Sequence, residues 1–142
     1  MRRSWGLRVG VLVTGMALLA APALAHDHRA PKATLRDVTF TDCRLDLSAW
    51  RFAEFKDVRF TGCNLVGADF VEAGLTSAQF VDCDLSGAQF SHARMNGARF
   101  AGCTLDGVGG IADWRGVMIR PTDVIALAHT LAEALGISIE EA

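Results

Sequence analysis

Four cysteines stand at residues 43, 63, 83 and 103, each twenty residues from the next. Thiols spaced in that way can do redox or soft-metal chemistry only if the fold brings the chain back over itself every twenty residues. A second group is the segment His26-Asp27-His28. If the chain is cut just before His26, its new amine, two following amides and the His28 imidazole supply four nitrogens in a square plane. Cu(II) and Ni(II) prefer that tetragonal nitrogen geometry, and binding should strengthen as pH rises because the ligands must lose protons. His92 and His129 stand apart from these and from each other. No nucleophile, base and orienting group can be argued into one place. There is also no Walker motif, no dinucleotide fingerprint and no zinc-type cysteine pair. The sequence therefore predicts no enzyme and no cofactor.

The cut before His26 has its own support. Arg2, Arg3 and Arg8 precede a charge-free apolar stretch from Val9 to Ala21, and Ala23-Leu24-Ala25 places small residues at −3 and −1 of a cleavage site. This three-part pattern predicts a secretory signal peptide over residues 1–25, cleaved after Ala25. A membrane span needs about 20 apolar residues, and Pro22 interrupts this stretch, so no span is expected after cleavage. The destination is periplasmic or secreted, where thiols can oxidise. Residues 26–33 then read as a polar N-terminal tail. The whole chain has 14 Lys+Arg against 16 Asp+Glu, for a net charge of −2, with 21% charged and 51% hydrophobic residues. That balance excludes a disordered acidic tail and a basic nucleic-acid binder.

The elements that must position the cysteines come from a shorter period. Every position divisible by five from Leu35 to Leu105 is large and apolar, and the residue two before each is small or medium, from Ala33 to Cys103. A helix cannot carry a period of five, because 3.6 residues per turn would spread it over all faces. Residues two apart on an extended segment point the same way. Each five-residue unit thus gives one short extended side with two residues inward and one outward between them. The other two residues turn the chain, and Gly62, Gly67, Gly87, Gly97, Gly102 and Gly107 fall on the second turn position, where freedom of φ is useful. Phe40, Phe60, Phe80 and Phe100 repeat the step of twenty, as do the cysteines. Four units therefore close one coil, and equivalent residues stack as ladders.

Ala68-Asp69-Phe70, Cys63-Asn64-Leu65 and Cys83-Asp84-Leu85 resemble the A-(D/N)-L core of the pentapeptide-repeat family, with Cys replacing Ala in two of them. The resemblance implies that family's all-β solenoid, a right-handed quadrilateral β-helix of about four coils. Phe is as prominent as Leu at the central position, a departure that the interior should accommodate. The repeat spans residues 34–110. A C-terminal cap follows over 111–142: the frame slips by one after Gly109-Gly110, and an amphipathic helix is expected over 122–135, opened by Pro121 and ended by Gly136. Val124, Ala128, Leu131 and Leu135 share one face of that helix, with Ile125 and Leu127 beside it.

Cys43, Cys63, Cys83 and Cys103 occupy the small inward position. Three readings follow: a reduced core ladder, bridges such as Cys43–Cys63 and Cys83–Cys103, or a metal–thiolate ladder. Successive Cα atoms about 4.8 Å apart are within disulfide range, although parallel side chains hold the Cβ atoms slightly too far apart. On the outside, Leu47, Phe52, Val66 and Val71 place apolar residues on turn positions that are otherwise polar or Gly. They mark an interaction patch or a surface that the N-terminal tail covers.

The expected function is a non-catalytic protein–protein interaction or structural scaffold in the cell envelope, working through an unidentified protein partner or self-association. An alternative is a Cu(II)/Ni(II)-binding accessory protein using His26 and His28 at the processed N-terminus. The resemblance also admits a DNA-mimicking gyrase inhibitor. Export and the mixed signs of the outward columns, such as Arg44-Asn64-Asp84-Thr104, speak against that third reading and against nucleic acid as a partner.

Overall fold

The structure is a computed structural model and describes residues 33–141. The chain forms β1 (Thr34–Thr41), β2 (Glu54–Thr61), β3 (Gln79–Val81), β4 (Arg99–Ala101), a 3-10 turn (Ile111–Asp113), β5 (Met118–Ile119) and α1 (Pro121–Ala134). The strands make one parallel sheet in the order β1-β2-β3-β4-β5. Its register is twenty residues, with Thr39, Arg59, Gln79 and Arg99 side by side. Three further columns of parallel bridges close the coil: Arg44–Asn64–Asp84–Thr104, Ala49–Asp69–Gln89–Gly109 and Glu54–Gly74–Arg94. The result is a four-sided parallel-strand β-solenoid of about four turns.

The interior is built from the two inward positions of each unit. Phe40, Phe60, Phe80 and Phe100 stack nearly parallel with centroids 4.9, 5.0 and 4.8 Å apart. A second column, Trp50–Phe70–Phe90, meets the first edge-on, as in Phe70–Phe80 at 86°. Rings stacked in one column and crossed between columns satisfy the aromatic quadrupole in both directions, worth about 0.5–1.5 kcal/mol per pair beyond burial. Ser48 is the polar exception at a small inward position. It is there because Trp50 is: the Trp50 indole N–H donates to Ser48 Oγ at 2.6 Å, and the Ser48 hydroxyl donates to the Leu45 carbonyl at 2.6 Å.

The outward residue between each inward pair also has a structural task. Asn64, Asp69 and Asp84 each accept the backbone N–H two residues on, at 3.0, 2.9 and 3.0 Å, and so fix the corner. The second turn residue of each corner has positive φ, glycine or not: Gly62 at 63°, Asp82 at 52°, Leu47 at 59° and Phe52 at 67°.

The C-terminal end departs from the frame. β5 pairs with β4 in a register of nineteen, Arg99↔Met118 and Phe100↔Ile119. Trp114 lies flat on Phe100 at 4.6 Å and edge-on to Phe90 at 5.4 Å, closing both aromatic columns. Two aspartates replace ladder partners that a further coil would supply. In earlier coils the equivalents of the His92 and Gly102 N–H groups donate to the next coil's carbonyls, as Glu72 does to Ser91 and Asp82 to Ala101. Here His92 N–H donates to Asp113 Oδ2 at 2.8 Å and Gly102 N–H to Asp123 Oδ2 at 3.4 Å.

The helix α1 begins one residue earlier than its sequence pattern predicts and ends in a Schellman turn. Ile137 N–H bonds Ala132 O, Gly136 N–H bonds Glu133 O, and Gly136 has φ 73°. It does not dock by the face that Val124, Leu131 and Leu135 share. The buried residues are Asp123 and Leu127, whereas Val124, Ile125, Leu131 and Leu135 are exposed. The reason is Asp123: once its carboxylate reaches the Gly102 N–H, the helix is turned onto the Asp123–Leu127 edge. The apolar stripe beside that edge then faces water.

Candidate functional site

The four cysteines form one column along the solenoid and all are free thiols. Cys43 is half-buried; Cys63, Cys83 and Cys103 are buried. Each of the buried three lies within hydrogen-bonding reach of the phenylalanine carbonyl twenty-three residues earlier: Phe40 at 3.3 Å, Phe60 at 3.4 Å and Phe80 at 3.3 Å. The thiols also meet one another. Cys83 stands between Cys103 and Cys63, and its interactions with these two sulfurs, together with burial, raise its pKa and keep it protonated. Contact with Cys83 draws Cys63 down to about 7 and lowers Cys103, against the opposing push of burial. No group of three or more His, Cys, Asp or Glu with the arrangement of a metal site occurs among the described residues. His26 and His28 lie outside the described residues, as do the proposed cleavage site after Ala25 and nearly all of the polar tail.

The four residues of the apolar turn patch are not equally presented. Leu47 is 78% exposed, while Phe52, Val66 and Val71 are half-buried. Leu47 lies over Gly67, where a Cβ would collide with it. Between the two corners runs the Ala49–Asp69 face, on which Arg51 pairs with Asp69 at 2.8 Å. The patch is therefore divided by an ion pair. Leu47 and Phe52 nonetheless hold left-handed φ, which costs a bulky residue about 1 kcal/mol or more.

A larger set of exposed apolar side chains is on α1. Ile125 is 79% and Leu135 73% exposed, and Val124, Leu131, Ile137 and Ile139 are exposed as well. Leucines and valines at helical spacing carry no mark that distinguishes a docked face from an undocked one; the buried carboxylate at Asp123 is the signal. A second pattern invisible in the sequence is the Glu54–Arg94 ion pair, which joins residues two coils apart. It forms because Gly74, between them, has no side chain to separate them. His92 and His129 remain apart from any catalytic grouping: His92 is on an exposed corner and His129 is exposed on α1.

No curated protein matches the sequence significantly. Among solved structures, the chain is similar to HetL, a pentapeptide repeat protein involved in heterocyst differentiation regulation in the cyanobacterium Nostoc sp. strain PCC 7120. The identity is 27% over 51% of this chain and 34% of HetL, with a TM-score of 0.49. It is also similar to a pentapeptide repeat protein from the Arabidopsis thaliana thylakoid lumen, at 24% identity over 68% of this chain and 61% of that one, TM-score 0.40. The chain spans about a third of the length of HetL and less than two thirds of the Arabidopsis protein. A family model described as a pentapeptide repeat region matches residues 33–109, more than half the chain and the same span that forms the coils. The chain belongs to the pentapeptide-repeat family.

Proposed function

We propose that the protein is an exported, non-catalytic scaffold of the cell envelope that acts through contacts on its surface. The observation that carries this reading is the stripe on α1. Val124, Ile125, Leu131 and Leu135 form one uncharged surface on a helix already held by its other edge. Apolar area of that extent facing water favours coverage by a second surface. The partner is a protein with a complementary apolar helix or groove, or a second copy of the chain. The ladder faces supply a rigid platform behind the stripe: their backbone groups are bonded coil to coil, so the surface needs little ordering on contact.

In-cell crosslinking of the mature protein with identification of the captured chains tests this reading. Ile125→Glu with Leu135→Glu should remove the crosslinked species while the circular dichroism spectrum stays that of a β-solenoid. Leu47→Asn is a comparison on the divided patch, because Asn tolerates the left-handed backbone there. The same crosslinks in the α1 variant as in the unaltered protein would rule out the α1 surface. Export is tested separately by the mass of the mature chain, which should start at His26.

A further inference from the structure

The sheet face carries a surface of another kind. Its register sets Thr39, Arg59, Gln79, Arg99 and Met118 in one outward column. Thr61, Val81 and Ala101 form the next outward column, and Arg120 follows Ile119 alongside Ala101. Val81 and Ala101 are short. The long arginines around them therefore rise above the sheet and leave a groove of about 270 Å³, whose polar lining is Arg59, Gln79, Arg99 and Arg120. No carboxylate lines it. Elsewhere on the solenoid Arg51 is paired with Asp69 and Arg94 with Glu54, but Arg59, Arg99 and Arg120 make no ion pair among the described residues.

Spacing decides what these three groups can hold together. Phenylalanines of successive coils stand 4.8–5.0 Å apart. Arg59 and Arg99, two coils apart, are thus about 10 Å apart at the backbone. A group centred over Gln79 is within reach of both side chains, and Arg120 approaches from the adjoining column. We propose that this groove binds a phosphoryl group, held by Arg59, Arg99 and Arg120 with the Gln79 amide as a neutral donor. Three planar guanidinium forks call for three acceptor oxygens in different directions, which a tetrahedral phosphoryl group offers and a carboxylate does not. The groove is small for a drug-sized ligand, which needs about 300–1,000 Å³, and suits a phosphate with a modest body. This inference is independent of the scaffold reading.

Titration of the purified protein with inorganic phosphate, followed calorimetrically, tests the proposal. Binding should saturate at one equivalent and weaken as chloride is added. Arg99→Gln or Arg59→Gln should weaken it at least about tenfold, the loss of a charge-assisted hydrogen bond, while Arg44→Gln on another face leaves it unchanged. Absence of saturable binding, or equal binding by Arg99→Gln and Arg44→Gln, would overturn the site. Vesicles identify the source of the phosphoryl group. Phosphate-competed retention on phosphatidylcholine vesicles containing phosphatidic acid, but not on phosphatidylcholine alone, points to a lipid headgroup. Phosphate binding without retention points to a soluble phosphate ester. Binding of a single-stranded oligonucleotide that Arg44→Gln and Arg99→Gln weaken equally would contradict the proposal, because the contact would then be diffuse charge.

Discussion

At the scale of single residues, burial and hydrogen bonding decide more than residue type. Ser48 follows the pattern of its small inward neighbours, but its hydroxyl is the acceptor for the buried Trp50 N–H. Ser48→Ala should therefore lower unfolding free energy by about 1–3 kcal/mol, the cost of an unsatisfied buried donor. The loss should largely disappear in the Trp50→Phe background, where no N–H needs a partner; denaturant unfolding of the four proteins of that cycle measures the coupling. The cysteines give a second case. The sulfurs of Cys63, Cys83 and Cys103 sit against phenylalanine carbonyls, with Cys43 alone half-buried at the N-terminal end of the column. Alkylation of the native protein should modify Cys43 first, and Cys63, Cys83 and Cys103 only on unfolding. Four titratable thiols in denaturant without reductant should be found; fewer would mean that bridges form. Cys63, with its pKa lowered, should not label ahead of Cys43, because access to a buried sulfur limits the rate more than its thiolate fraction does.

At the scale of the coil and its cap, the sequence was readable wherever a rule repeats and opaque wherever a residue acts once. The fivefold and twentyfold periods placed the inward residues and the columns, because each rests on many equivalent positions, and the one-residue slip before β5 shows as a break in that frame. Asp113 and Asp123 act once each, as stand-ins for a missing coil, and nothing in an isolated aspartate announces that task. The seating of α1 is of the same kind: amphipathic spacing shows that a helix has an apolar face, not which edge a single buried carboxylate will turn inward. Asp123→Ala should destabilise the protein by about 1–2 kcal/mol, since it frees the Gly102 N–H and unseats the helix. Asp123→Asn, which keeps an acceptor, should recover most of that loss. The corners give a sharper contrast. Gly87 and Gly110 both have positive φ, 72° and 80°. A Cβ at Gly87 meets nothing, while one at Gly110 runs into the backbone of Phe90 and Ser91. Gly87→Ala should cost about 1 kcal/mol, the left-handed backbone penalty alone. Gly110→Ala should cost clearly more, because backbone cannot move aside as a side chain can.

At the scale of the whole molecule, each coil packs on its immediate neighbours, the Glu54–Arg94 ion pair across two coils being an exception. Stability is therefore close to a sum of coil terms and interfaces between coils. The middle coils have a neighbour on both sides, with Phe60, Leu65, Phe70, Leu75 and Phe80 at zero exposure. The C-terminal helix is at the other extreme, with only Asp123 and Leu127 buried. Local opening should follow that gradient. Hydrogen exchange should be slowest for β2 and β3 amides, faster for β5 and fastest for α1 beyond its first turn. This ordering bears on function, because a weakly held helix with an apolar stripe can shift to meet a partner at little cost to the solenoid. A partner that covers Val124, Ile125, Leu131 and Leu135 should slow exchange along α1 while leaving the already protected β2 and β3 amides unchanged. Protection that rises instead along the sheet, with α1 unaffected, would place the contact on the ladder face and remove α1 from the interface. The two outcomes fall on different peptides of the same experiment, so the site of contact is read directly from the chain.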